Sequence, residues 1–155
     1  MSLLSIAQRL GRYRWFAAFG RTVFVPADRL IAKATKGRVI ALGVLPSLTI
    51  TTIGRKSGQP RTQPLVYVPD GDDFAVIGSN WGQTHHPAWS ANLLAHPQAE
   101  VVVKGQRVRV RAELATGEER RRLWEILLRT WPAYQIYAER SGRDLRIFKL
   151  VREAD

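Results

Sequence analysis

Eight consecutive residues, Gly54-Arg55-Lys56-Ser57-Gly58-Gln59-Pro60-Arg61, collect three cations, a hydroxyl and two glycines between two strand-forming runs. Glycine lets a tight turn expose backbone N–H groups, and Arg61 on the returning strand comes back toward Arg55 and Lys56. Convergent cations and open amides suit a phosphate or a carboxylate. The glycine and lysine spacing of a Walker loop is absent. An exposed hairpin with basic decoration is the other reading these residues allow.

A second constellation runs Gly78-Ser79-Asn80-Trp81-Gly82, then His85-His86-Pro87-Ala88-Trp89, then Asn92. It combines hydroxyl and amide hydrogen-bonders, a flat apolar wall in Trp81 or Trp89, and a helix start whose free N–H groups favour an acceptor. A planar heterocycle with polar edges fits such surroundings. Taken singly, Trp89 also reads as the core anchor of its helix and Asn80 as a turn residue. A third set, Trp131, Tyr134 and Tyr137, recurs every three residues beside Pro132. A tyrosine with a pKa near ~10 stays protonated at neutral pH and can donate to a developing oxyanion. The same three aromatics would also serve as a belt sealing one end of a barrel.

Other chemistries find less support. Adjacent His85 and His86 cannot easily chelate one ion together, and neither a cysteine nor a nearby carboxylate completes a set with them or with His96, so no metal is expected. Ser57 and Ser79 lack a Gly-x-Ser-x-Gly elbow and an acidic orienter, which argues against a nucleophilic hydrolase.

The elements that must position these residues change character along the chain. Leu3, Ile6, Ala7 and Leu10 share one helical side, whereas Phe16, Phe19 and Val23 share nearly the opposite one, the change falling across Gly11; two short amphipathic pieces are expected, or one helix that packs on the barrel at one end and on something else at the other. A further short helix fits Pro26 to Lys36. From Ser47 onward the period becomes that of strands, predicted at Leu48 to Ile53, Leu65 to Val68, Phe74 to Ile77, Val101 to Val103, Val108 to Leu114 and Leu145 to Val151. Turn signals lie between several of them, and Pro64 and Pro69 place their strand at an edge or beside a bulge. Helices are predicted over Ala88 to Ala95, between Pro87 and Pro97, and after Thr116, where Glu119 is spaced for a capping box. That second helix carries the core-facing stripe Leu123, Trp124, Leu127, Leu128 and Trp131. Pro132 ends it, and a short aromatic segment follows. The expected class is α+β and mainly β: a six-stranded antiparallel barrel with flanking helices.

The 155 residues suit one core. Lys and Arg number 24 against 13 Asp and Glu, a net charge of +11. Residues 1–38 hold eight of the basic side chains against one acidic, so seven of those eleven charges lie there. Two segments follow: a basic amphipathic helical module over 1–38 and a ligand-binding domain over 39–155. Such a module suits an acidic lipid surface or another anionic partner, or is simply a solvated face. The longest apolar stretch near the start, Trp15 to Phe19, is too short for a signal core or a membrane span. A cytoplasmic protein is expected, with peripheral contact to the inner face of the membrane as an added possibility. Two binding modules compete with an enzyme: a nucleic-acid-binding barrel, suggested by Arg107, Arg109 and Arg111 alternating on one strand, and a lipid-binding module without turnover.

Taken together, Thr51 to Thr62, Gly78-Ser79-Asn80 with Pro87-Ala88-Trp89, Asn92-Leu93-Leu94-Ala95 before Pro97, and Thr116-Gly117-Glu118-Glu119-Arg120 resemble the deazaflavin-dependent nitroreductase and quinone reductase family of actinobacteria. The likeness runs in order from about Leu48 to the end. It implies a split β-barrel related to flavin-reductase barrels, binding the 8-hydroxy-5-deazaflavin coenzyme F420 in a groove beside the barrel. A hydride would pass to a small organic acceptor: a quinone, a nitro compound or an activated unsaturated ring. By the same likeness Arg55, Lys56 and Arg61 would hold the coenzyme's phosphate and acidic tail, with Thr62 and Pro64 lining the groove. Ser79, Asn80, Pro87, Trp89 and Asn92 would border its ring. Tyr134 and Tyr137 match the family's substrate-side tyrosines. The resemblance implies Tyr134 for orienting and protonating the acceptor, with Ser79 as a second hydrogen-bond donor. Trp81 and Trp131, where smaller or tyrosine side chains are the family's habit, would set the size of the acceptor pocket. No nucleic acid partner is then expected, and monomer and homodimer both stay open.

Overall fold

The computed structural model of the chain describes residues 39–40 and 45–154, so the expected helices near the amino terminus and the basic module over 1–38 lie outside the described residues. Within them the elements run β1 (Val39–Ile40), β2 (Leu45–Ile53), β3 (Pro60–Val66), β4 (Val68–Asp70), β5 (Asp73–Ile77), a 3-10 turn (Asn80–Gly82), α1 (Ala88–Ala95), β6 (Gln98–Val103), β7 (Gln106–Leu114), α2 (Gly117–Thr130), α3 (Ala133–Ser141) and β8 (Ile147–Arg152).

All pairings are antiparallel, in the order β1-β2-β6-β7-β8-β5-β4, with β3 laid on β2 from Ser47↔Val66 to Ile53↔Pro60. One residue, Tyr67, joins β3 at the β2 end of the sheet to β4 at the β5 end. No ladder links β3 to β4 among the described residues, so the barrel is split and the chain itself bridges the gap. This revises the expected six strands to eight. The single run expected at Leu65 to Val68 divides at Tyr67, whose N–H still bonds Pro46 O of β2 at 3.3 Å, continuing the β2–β3 register by one pair, and whose ring is buried against Phe74. Pro60, Pro64 and Pro69, which lack a backbone donor, sit in these two short edge strands as proline must. The Val39–Ile40 strand was not anticipated.

Side-chain alternation then sorts the apolar residues into two cores. Phe74 and Val76 of β5 point into the barrel with Leu48, Ile50, Val101, Val110, Phe148 and Leu150. Ala75 and Ile77 point the other way, onto Leu123 and Leu127 of α2 and onto Tyr134 and Tyr137 of α3. β5 is therefore apolar on both faces, whereas β7 alternates, burying Val108, Val110 and Ala112 while Arg107, Arg109 and Arg111 face outward as expected. Each fully buried aliphatic side chain contributes roughly 1.5–3 kcal/mol.

Two local expectations change. The aromatic segment after Pro132 is a nine-residue helix, α3, with Pro132 at its N-cap and Gly142 closing it at φ 66°. A proline that stops one helix can open the next, because the first turn leaves its N–H unused in any case. The capping box at α2 does not form. Thr116 is the N-cap without a side-chain bond, and Glu119 instead accepts from Arg122 at 2.9 Å, whose guanidinium also forks onto Asp70 at 2.8 and 2.9 Å. Two charge-assisted partners outbid the weak attraction of a single backbone N–H.

Candidate active site

The cationic hairpin is built by β2 and β3. Gly54 N donates to Gln59 O and Gly58 N to Gly54 O, both at 2.8 Å, and Gly58 turns the chain at φ 70°. Ser57 Oγ accepts from Gln59 N at 3.2 Å and from Arg61 Nη2 at 3.4 Å. A Cβ on Gly54 would lie 2.5 Å from that hydroxyl, so a larger residue here would push the Ser57 side chain from its place beside Arg61. Arg55, Lys56 and Arg61 are all exposed. Arg55 bends toward Asn92, whose Oδ1 accepts from Arg55 N at 3.1 Å and Arg55 Nη1 at 3.5 Å. Thr62, across from Thr51, shares a 2.8 Å hydroxyl contact with it, and Pro64 is half-buried farther along β3.

Asn92 links this hairpin to α1. It is buried, and its Nδ2 donates to the buried Thr52 hydroxyl at 3.1 Å. Thr52 was missed by the sequence reading. A polar residue in register with inward Leu48 and Ile50 was the available signal, since a hydroxyl on a buried strand face needs a partner. Trp89, one turn earlier on α1, is 4% exposed and packs on Phe148 with ring centroids 5.9 Å apart. Its side chain anchors α1 to the barrel.

At the other end of α1 lies the Gly78–His86 loop. Pro87 packs on Gly78, where a Cβ would meet its ring at 3.2 Å. Asn80, Trp81 and Gly82 all take positive φ, at 46°, 55° and 76°, a run that costs a tryptophan roughly 1–3 kcal/mol unless its surroundings hold it. They do so through Gly82 N to Ser79 O at 3.0 Å, Gln83 N to Asn80 O at 3.1 Å and Asn80 Nδ2 to His85 O at 3.0 Å. The guanidinium of Arg143, arriving from beyond α3, donates from Nε to Gln83 O at 2.8 Å, from Nη1 to Gly78 O at 3.0 Å and to His86 Nδ1 at 3.1 Å, and from Nη2 to Ser79 O at 2.7 Å. Because arginine only donates, His86 Nδ1 accepts and the ring is neutral. Burial, with Arg146 and Arg143 beside it, holds His86 below the usual histidine range. Arg143 was also missed, and a lone arginine on a turn carries no local signal.

The tyrosines close the loop from behind. Gly82 lies against Tyr137, where a Cβ would come within 3.2 Å of Tyr137 Cα. Trp81 and Tyr137 have centroids 6.3 Å apart, and Tyr134 and Tyr137 6.4 Å. Tyr134, Tyr137 and Trp131 are buried, at 4%, 1% and 5% exposure. Desolvation pushes the Tyr134 phenol far up, with Tyr137 adding to the effect. Burial raises Tyr137 too; the Trp131 indole and Arg140 pull the other way, the indole from a position that completes no hydrogen bond. The Tyr137 hydroxyl is thereby buried without a hydrogen-bond partner.

One helix thus joins a hairpin of exposed cations to a strained, amide-rich loop backed by tyrosines. From Pro87 to Asn92 the rise along α1 is only about 7.5 Å, so the two groups border one region. A donor set of cations at one end, with hydroxyl and amide groups beside aromatic walls at the other, fits a planar coenzyme with a polyanionic tail. The orphaned Tyr137 hydroxyl is an unused polar atom enclosed in the core behind the Trp81 loop.

Residues 28–152 match the F420H2-dependent quinone reductase family. The chain belongs to that family. An F420H2-dependent quinone reductase of Mycobacterium tuberculosis is 34% identical over 144 residues, covering 90% of this chain and 97% of the relative. Among solved structures, an F420-H2 dependent reductase superposes at TM-score 0.63 with 30% identity, covering 68% of this chain and 93% of its own. A chain whose structure is described as a domain-swapped dimer does so at TM-score 0.64 with 28% identity, covering 81% and 98%. The reductase is accordingly an F420-dependent oxidoreductase with the split-barrel fold expected of it. Among its described residues no helix is long and apolar enough to cross a membrane.

Proposed function

We propose that this reductase carries electrons from reduced F420 to a small quinone, with nitroaromatic compounds as further acceptors, at the groove along α1. The observation that carries the reading is the double attachment of α1: Pro87 packs on Gly78, while Asn92 holds Arg55 and Thr52. Arg55, Lys56 and Arg61 hold the coenzyme's phosphate and acidic tail, with Thr62 and Pro64 lining the path. Ser79, Asn80, Pro87 and Asn92 border the ring. Trp89 acts through the packing that fixes α1.

When bound, the reduced deazaflavin supplies a hydride, an electron pair rather than single electrons. The protein's share is placement and a proton. Negative charge that develops on a quinone oxygen is met by hydrogen bonds from Tyr134 or Tyr137, and Ser79 offers a third donor from the loop. Trp81 and Trp131 exclude water around the acceptor and bound its size. The reductase works in the cytoplasm, and its basic residues 1–38 touch the acidic inner face of the membrane, where lipid-soluble quinones reside.

Replacing Arg55, Lys56 and Arg61 together with alanine is expected to weaken binding of oxidised F420 about 100-fold or more, as the loss of two charged hydrogen bonds implies. The melting temperature should change little, because all three side chains are exposed. Fluorescence titration against the wild type measures the first and calorimetry the second; unchanged affinity would remove the hairpin from the site. Coenzyme oxidation followed across a panel of quinones and nitroaromatics ranks the acceptors.

A further inference from the structure

We propose that Arg143 is a positioning residue for hydride transfer, setting the Gly78–Gln83 backbone so that its amides meet the polar edge of the coenzyme ring. The inference rests on the coenzyme reading above and concerns a residue that reading does not use.

One guanidinium reaches four acceptors on a single loop, on both sides of the three left-handed residues. Asn80 and Trp81 gain nothing from glycine's freedom there, so something outside the loop must hold them in place. Arg143 does so with a rigid planar fork, a geometry that lysine, a point charge on a flexible stem, cannot reproduce. The consequence for the site follows from peptide geometry. With the Gly78 and Ser79 carbonyls turned onto the guanidinium, the trans planes point the Ser79 and Asn80 N–H groups to the opposite face of the loop. Ser79 is helical at φ −72° and ψ −34° and Asn80 left-handed, an alternation that brings successive N–H groups to a common point suited to partial negative charge. A ring carbonyl or nitrogen placed there is held by main-chain donors, and Arg143 holds the donors.

The same turn supplies a control. Arg120 donates to Leu145 O at 2.6 Å and to Asp144 at 3.0 Å, gripping the segment that follows Arg143 without touching the Gly78–His86 loop. The experiment compares Arg143→Lys, Arg120→Lys and the hairpin triple variant with the wild type. It measures oxidised F420 affinity by fluorescence, the shift of the bound coenzyme's long-wavelength absorption band, kcat and KM with a quinone, and the melting temperature.

Arg143→Lys is expected to raise the Kd about tenfold, to diminish the band shift that reports the ring's surroundings, and to lower kcat more than it raises the KM for the quinone. Arg120→Lys should lower the melting temperature by a comparable amount and leave Kd and band unchanged. If Arg143→Lys does not fold, His86→Ala removes one of the four acceptors and should still raise the Kd about threefold. Wild-type Kd, band and kcat in Arg143→Lys, or in His86→Ala if only that variant folds, would overturn the inference while leaving the hairpin reading intact. Wild-type affinity in the triple variant would overturn the hairpin reading instead.

Discussion

The hydroxyl of Tyr137 has lost water without gaining a partner, a condition that costs roughly 1–3 kcal/mol. Folding alone would favour phenylalanine at this position. Tyr137→Phe is therefore expected to raise the melting temperature while slowing quinone reduction, and a thermal melt run beside a steady-state assay checks both directions. Equal or lower stability would show that the hydroxyl is satisfied in solution. Tyr134 sets a pH signature. Burial disfavours its phenolate, so its folded pKa lies above the unfolded value near 10. By linkage the stability it contributes is fully present below that unfolded value and is lost as pH rises through the folded one. No alkaline fall in kcat below about pH 10 should then arise from Tyr134, and a pH–rate profile of wild type beside Tyr134→Phe tests this. The phenylalanine variant should retain the profile's shape at a rate reduced about 10²–10⁴-fold, the usual loss for a general acid.

Among the elements, α1 is the one that ties the hairpin to the Gly78–His86 loop. Its eight residues are pinned by Trp89 in the barrel, by Pro87 on Gly78 and by Asn92 on the hairpin. Asn92→Ala is expected to cost about 1–3 kcal/mol of stability by leaving the buried Thr52 hydroxyl unpaired. It should also weaken F420 binding, because Arg55 loses its anchor; a denaturant titration and a binding isotherm give the two numbers. This helix was also the most legible element, since Pro87 and Pro97 mark both its ends in the sequence. The hairpin was legible for a similar reason, its glycines and prolines being local instructions. The break at Tyr67 was not, because Leu65 to Val68 reads as one apolar run and only the competition between two sheet edges divides it. α3 was hidden by Pro132, which marks an end and a beginning equally well. Arg143 could not be read at all: its four partners lie 57 to 65 residues away, and only the packing of α3 on the loop brings them within reach.

At the scale of the molecule, charge is distributed by task. On the outward face of β7, Arg107 meets Glu100 at 3.3 Å and Arg111 meets Glu113 at 3.0 Å. Such exposed pairs add little stability, but they blunt a face that would otherwise attract polyanions. The excess lies instead in residues 1–38. Changing Arg9, Arg12 and Arg14 to glutamine is expected to weaken the partition onto acidic-lipid vesicles, measured by co-sedimentation, about 100-fold, at about 1 kcal/mol per basic residue near the surface, and to leave the F420 Kd unchanged. Equal sedimentation of the variant would place any lipid contact elsewhere. The split in the barrel raises a different matter, that of company. Among the described residues β3 pairs with β2 alone, which leaves a strand with one side unmatched, and such a side can recruit the same segment of another molecule. β3 holds that position and carries proline at 60 and 64, four residues apart and so on the same side of the ribbon. Every second donor position along that margin is therefore missing, and a stray chain finds too few contacts to extend the sheet. The same two rings leave that margin poorly matched to a second sheet.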